Sequence, residues 1–278
     1  MSEAIDAGEI VGEFRTPVNQ HNNSKGSIHD DATASKLGFR GGTVAGSVHM
    51  DQLVPVLIQA FGDDWLKHGN ISSYFRQATV DREEVRVVLN RAPGAVQARV
   101  HMENRDGAVI NEGTASASGP DTNTELSRRV RGMAQATNLR ILADSTVGKE
   151  VKDIAVRASE TALKRRLEAI TEPLAIYDDG VLPPSMSTQL YRGVEAELFS
   201  RTGVVGLFGA IELQTLNGPL KVEKDYLARA TILALTESPK TENVWYHAHV
   251  KDVETGEDAG WMIMYLRFLK ASSKLYTG

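Results

Sequence analysis

The chain has no cysteine among its 278 residues. That excludes disulfides, a thiolate nucleophile and a cysteine zinc site, and it fits a reducing compartment. An excess of basic charge is also missing: 31 Lys and Arg stand against 36 Asp and Glu, for a net charge of -5 and a pI near 5.8. A general nucleic-acid binder carries the opposite balance. Two small basic clusters, Arg128-Arg129-Arg131 and Lys164-Arg165-Arg166, read as solvated helix faces, with a phosphate site as the alternative. No apolar run reaches the roughly 18 residues of a membrane span. The N-terminus, MSEAIDAGEIVGEF, lacks the basic start and apolar core of a signal peptide. The expectation is a soluble, cytoplasmic protein. Nor is there a phosphate-binding glycine fingerprint, since Gly38-Phe39-Arg40-Gly41-Gly42 does not follow a strand. No cofactor is expected.

What is present is an ordinary globular composition, 41% hydrophobic and 24% charged, and a length that favours two domains at roughly 100–200 residues each. The richest stretch runs from Asn22 to Leu57. A polar loop ends in Ile28-His29-Asp30-Asp31, and a glycine-rich passage leads to Ala45-Gly46. Val48, Leu53, Val56, Leu57, Ala60 and Phe61 then recur at helical spacing. Ser47 is placed to cap that helix. A loop histidine followed by a helix start, with free N–H groups and a positive dipole end, suits a substrate that carries a carbonyl oxygen.

Downstream the period changes to that of strands. Residues 71–78, 84–89, 96–103 and 109–118 alternate, with a hairpin turn at Asn104-Arg105-Asp106-Gly107. A shorter strand over 10–18 is placed at an edge or strand end by Pro17. Gly119-Pro120-Asp121-Thr122-Asn123 breaks the chain, and 124–145 reads as a connecting helix. The plan then returns: a strand at 147–156, an amphipathic helix at 159–170 capped by Ser159, a helix over 186–199, and strands at 211–215, 226–235, 244–250 and 262–269. A duplicated unit follows from that order, with residues 1–122 as the first unit, 123–145 as the connection and 146–278 as the second.

A long helix wrapped by an antiparallel sheet is the hot-dog architecture, and the residues narrow it. The run from Ser27-Ile28-His29-Asp30-Asp31 to Leu37-Gly38-Phe39-Arg40-Gly41-Gly42-Thr43-Val44-Ala45-Gly46 resembles MaoC-like (R)-specific enoyl-CoA hydratases and acyl dehydratases. So does the stretch from Tyr74-Phe75-Arg76-Gln77-Ala78 to Gly113-Thr114-Ala115. In the second half, Val147-Gly148-Lys149-Glu150, Thr171-Glu172-Pro173 and Pro183-Pro184-Ser185-Met186 resemble the opening of another such unit. The resemblance implies an α+β tandem double hot-dog, with two long central helices wrapped by one continuous antiparallel sheet. It also implies an acyl-CoA or acyl-carrier-protein thioester substrate, and a further homodimer is plausible. The family's catalytic acid lies five residues before its histidine, and that position here is Ser24. Gly26 and Ser27 replace its Asn and Pro. In the second unit the histidine position falls near Ile176 or Tyr177, so that site is expected to be degenerate.

Hydration of a 2-enoyl thioester needs a base for water, an acid for the α-carbon and donors for the enolate-like oxygen. His29 is the candidate base, because imidazole titrates near neutral pH. The Gly46 amide is the candidate oxyanion donor, and Asp31, Asn23 or Ser24 are candidates to orient the imidazole. Gly42, Val44, Ala45, Ser47, Tyr74 and Arg76 are the expected substrate-binding positions. A thioesterase of the same fold would instead use Asp51, with His49 at the same mouth. A third reading is a non-catalytic or repurposed ligand-binding protein. His247 and His249 share a strand face, but with no third ligand nearby no metal site is expected.

Overall fold

The computed structural model describes residues 8–171, 174–200 and 203–277. Glu172 and Pro173 of the second-half motif lie outside that range, as does the start of the chain before Gly8. The first half contains β1 (Gly8–Val11), α1 (Asp31–Lys36), α2 (Gly46–Phe61), α3 (Trp65–His68), β2 (Asn70–Phe75), β3 (Val85–Arg91), β4 (Gln97–Asn104) and β5 (Val109–Ser116). After α4 (Glu125–Val130) come β6 (Glu150–Val156), α5 (Glu160–Leu167), a 3-10 turn at Ala175–Asp179, α6 (Pro184–Arg192) and α7 (Glu195–Leu198). The chain closes with β7 (Gly206–Thr215), β8 (Tyr226–Glu237), β9 (Thr241–Asp252), β10 (Asp258–Leu269) and α8 (Lys274–Thr277).

All these strands join one antiparallel sheet in the order β1-β3-β4-β5-β2-β7-β10-β9-β8-β6. Each half contributes the same sequence of strands read from its own edge, and the halves meet where β2 pairs with β7, Ser72 opposite Glu212 and Tyr74 opposite Ala210. The two-residue period accounts for the layers. In β10, Met262, Met264, Leu266 and Phe268 are buried on the helix-bearing face, and Ile263 and Tyr265 pack with Trp245 on the other. The single large core runs through both halves. Helix α2 is its axis. Most of its apolar residues are buried, Ile58 and Phe61 only partly, and so are His49, Asp51 and Gln52.

Three expectations about local structure are corrected. Ser47 does not cap α2: the helix already begins at Gly46, its N-cap is Ala45, and no side chain caps it. The helix expected over 186–199 begins at Pro184, ends at Arg192 and resumes only for Glu195–Leu198. Gly193, a poor helix former, lies at the break. The connection expected to be helical over 124–145 is helical only for Glu125–Val130. It lies on the outer face of the sheet, where Thr124 Oγ1 donates to Glu212 Oε2 at 2.7 Å and the Leu126 amide donates to Ser72 Oγ at 2.9 Å. Further on, the Arg140 and Leu142 amides both donate to Glu242. These partners lie far away in sequence, so no local pattern announces them. Ser159 does cap α5, accepting from the Ala162 amide at 3.1 Å.

Candidate active site

The loop before α2 is pinned by its own backbone. Thr43 N–H donates to Ile28 O at 2.8 Å, and His29 Nδ1 lies 2.7 Å from Thr43 O. A carbonyl only accepts, so Nδ1 carries the proton and the Nε2 lone pair is left free. The buried Asn19 holds the other side of the loop, its Nδ2 donating to His29 O at 2.8 Å and its amide donating to Asp81 Oδ1 at 2.7 Å. Burial, with the charge of Arg192 adding to it, pulls the His29 pKa below its ordinary value, while the bond to Thr43 opposes the shift. The imidazole is therefore neutral near pH 7, the form in which it accepts a proton.

Neighbouring candidates take other roles. Asp31 Oδ1 accepts from the Gly42 amide at 2.6 Å. Asp30 caps α1, accepting from Thr33 N at 3.0 Å. Asn23 and Ser24 are exposed in a turn, where Ser24 N–H donates to His21 O. Neither bonds to His29; the Thr43 carbonyl orients the ring. Gly42 is tightly enclosed, because a Cβ there would sit 2.3 Å from His29 O. Gly42→Ala is expected to cost about 1–3 kcal/mol through that clash and to displace His29. A lower melting temperature together with a weakened turnover checks this.

Two cavity lobes share Ile28 and Phe208 in their walls. The larger, about 310 Å³, is bordered by His21, His29, Ala45, Ser47, Arg166 and Arg192. The smaller, about 180 Å³, is bordered by Val44, Gly46, His49, Phe75, Arg76 and Arg267. The first turn of α2 thus lies between them. Neither the Gly46 nor the Ser47 N–H donates to a protein acceptor among the described residues, so these amides and the positive helix end remain available to an oxygen of a ligand.

His49 donates to, or accepts from, Thr79 Oγ1 through Nε2 at 2.7 Å, and burial pushes its pKa down to about 4. Asp51 lines neither lobe. It is 1% exposed, accepts from the Ser185 amide at the start of α6 at 2.8 Å, and burial pushes it up to about 7. Tyr74 lies on the outer face, stacked against Tyr265 and under the Arg129 guanidinium. Arg76 borders the smaller lobe and pairs with Glu112 at 3.6 Å. On the outer face the His247 and His249 rings sit 4.3 Å apart beside Trp261. Among the described residues no group of three or more potential ligands is placed to hold a metal. In the second half, Tyr177 is 3% exposed and borders a cavity of only about 40 Å³, room for about one water.

Arg166 departs from its reading as part of a solvated face. Lys164 and Arg165 are exposed, but Arg166 is turned into the wall of the larger lobe. Asn19, Thr43, Gln189 and Arg192 were also not singled out by sequence. Thr43 acts through its carbonyl and Arg192 reaches the lobe from the other half, so neither carries a local signature.

No protein-family model matches the chain, and no curated protein does. Solved structures do. One is a protein from Chloroflexus aurantiacus J-10-fl described as a MaoC domain dehydratase, with TM-score 0.61, 13% identity and 95% of each chain covered. A second, from Mycobacterium tuberculosis, is a conserved hypothetical protein described as a double hot-dog, with TM-score 0.59, 10% identity, 95% of this chain and 96% of that one. The fold is a double hot-dog. The dehydratase domain from the CurJ module of the curacin polyketide synthase is also similar, with TM-score 0.53, 12% identity, 96% of this chain and 94% of that one. In the double hot-dog described here the His29 cavity lies between the halves, with Phe208 and Arg192 supplied by the second. Among the described residues no helix is long and apolar enough to cross a membrane.

Proposed function

We propose that the chain is a hydratase or dehydratase of acyl thioesters, adding water to a 2-enoyl thioester or removing it from the 3-hydroxyacyl partner. One observation carries the reading: a neutral imidazole with a free Nε2 and an uncapped helix start border the same cavity, through His29, Ala45 and Ser47. In the hydration direction His29 Nε2 takes a proton from water and the oxygen bonds to C3. The C2–C3 π electrons move toward the thioester, whose oxygen becomes enolate-like on the Gly46 and Ser47 amides. The imidazolium then returns its proton to C2, so one residue serves as base and then acid. Two similar structures bear the name dehydratase, which agrees with this chemistry. A thioesterase would need Asp51 against the thioester carbon, and Asp51 lies outside both cavity walls.

The test is the loss of enoyl absorbance from crotonyl-CoA and a longer 2-enoyl-CoA, with free thiol followed in parallel. Loss of absorbance without thiol is the expected result; thiol release, or silence in both channels, counts against the reading. The lowered pKa of His29 sets the sign of the pH profile. Protonation removes the base, so kcat/KM for hydration should fall only below the ordinary imidazole value of about 6.5. An acid limb centred above that value would contradict the His29 assignment.

A further inference from the structure

The larger lobe is positively charged, and among the described residues no carboxylate lines its wall. Its ionisable border consists of His21, His29, Arg166 and Arg192. Arg192 is answered: it donates through Nε and Nη2 to Glu195 at 2.6 and 2.8 Å. Arg166 is not. No hydrogen bond or ion pair to its guanidinium occurs among the described residues, and its Nη1 is shut away from solvent without an acceptor. Asp51 is the carboxylate whose charge favours its ionised form, but Asp51 is bonded to the Ser185 amide and stands beyond ion-pair reach. A guanidinium cannot shed its proton to escape burial, and a buried N–H without a partner is costly. The charge of Arg166 also acts on His21, whose pKa is lowered by burial first and then by His29 and Arg166.

We propose that Arg166 is a specificity residue that binds an oxyanion carried by the substrate. Two parts of an acyl thioester can bring one: a carboxylate at the far end of the acyl chain, or a phosphate of the thiol carrier. A guanidinium meets either group through paired N–H donors. The inference rests on the reading of the cavity as an acyl-thioester site. The start of α2, at Ala45 and Ser47, and Arg166 both line the larger lobe, so one substrate can meet the α2 amides and Arg166 together. The smaller lobe is lined by two further cations, Arg76, which pairs with Glu112, and Arg267.

The experiment is calorimetric titration with three inert thioethers: S-butyl-pantetheine, S-(3-carboxypropyl)-pantetheine and S-butyl-CoA. None has a thioester or a double bond, so binding is read without turnover. In the wild type one of the two charged probes should bind about ten- to a hundredfold tighter than the neutral probe, the range expected for hydrogen bonds to a charged group. The probe that gains identifies the source of the oxyanion. In Arg166→Gln that gain should fall to within about threefold, with S-butyl-pantetheine unchanged. Arg166→Lys, which keeps the charge but not the fork, should retain a fraction of it and covers the case of a Gln variant that does not fold. Equal affinities for all three probes in the wild type would overturn the proposal, as would a gain that persists in both variants. Hydration of 2-enoyl thioesters alongside an unchanged gain in Arg166→Gln would remove only the Arg166 role. The expected binding pattern without any hydration would leave Arg166 in place and remove the hydratase reading.

Discussion

Replacing His29 with alanine is expected to lower kcat for hydration of a 2-enoyl thioester by about 10²–10⁴-fold, the usual weight of a positioned acid–base group. Binding of a saturated thioester should change by less than about threefold. The split follows from where the ring sits. His29 borders the cavity but holds the loop mainly through main-chain atoms: Thr43 N–H to Ile28 O, and Asn19 Nδ2 to His29 O. Both bonds survive truncation of the side chain. Only the Nδ1 bond to Thr43 O is lost, and with it the group that exchanges a proton with water and C2. Steady-state kinetics paired with calorimetry checks it. Equal losses in binding and kcat would mean that the ring is a wall of the pocket.

Asp51→Asn is expected to stabilise the protein at pH 8, by up to about 4 kcal/mol. The carboxyl is buried against the start of α6, and that burial pushes its pKa up to about 7, against about 3.9 in an unfolded chain. Between those values the folded state holds a proton that the unfolded state has released. Stability therefore falls as pH rises from about 4 to 7, and the whole deficit is present at pH 8. Asparagine keeps the shape and an acceptor for the Ser185 amide without ionising, so the gain should shrink toward zero near pH 4. His49 acts with the opposite slope. Its folded value of about 4 lies below the unfolded one, so stability is lost as pH falls from about 6.5 toward 4. Denaturant titrations of wild type and Asp51→Asn across pH 4–8 separate the two. The same variant speaks to chemistry: a carboxylate that attacked the thioester would lose its rate on amidation, whereas one buried beneath the cavity wall retains it.

The sheet was the legible part of the molecule. The alternation in residues 226–235 and 262–269 marks β8 and β10, because one face of each is buried. The Asn104 to Gly107 turn was equally plain, and in it Asn104 Oδ1 accepts from the Asp106 and Ala108 amides. The repeated order of helix then four strands recurs in the structure, α2 before β2–β5 and α6 before β7–β10, while the strand order, with each half mirrored across β2 and β7, carried no signal in the sequence. The loop histidine and the helix start were legible as a pair, since both lie within one stretch of chain. What was not legible depends on distant partners. Arg166 looked like one of three solvated cations until the fold turned it into the larger lobe. The connecting segment keeps its helix only over Glu125–Val130, and beyond it the Arg140 and Leu142 amides bond to the distant Glu242. The cap expected at Ser47 lies two residues earlier, at Ala45, whose side chain caps nothing, and that leaves the first-turn amides of α2 open.

The most direct measurement of the central claim is the fate of the substrate in deuterated water. Crotonyl-CoA and a 2-enoyl thioester ending in a carboxylate are incubated with the protein and the products followed by proton NMR. The account predicts an intact thioester, a hydroxyl at C3 and one deuterium at C2 for each turnover, with product formation slowed about 10²–10⁴-fold in His29→Ala. Free thiol with an unlabelled enoyl acid, or unchanged substrate with both compounds, would contradict it.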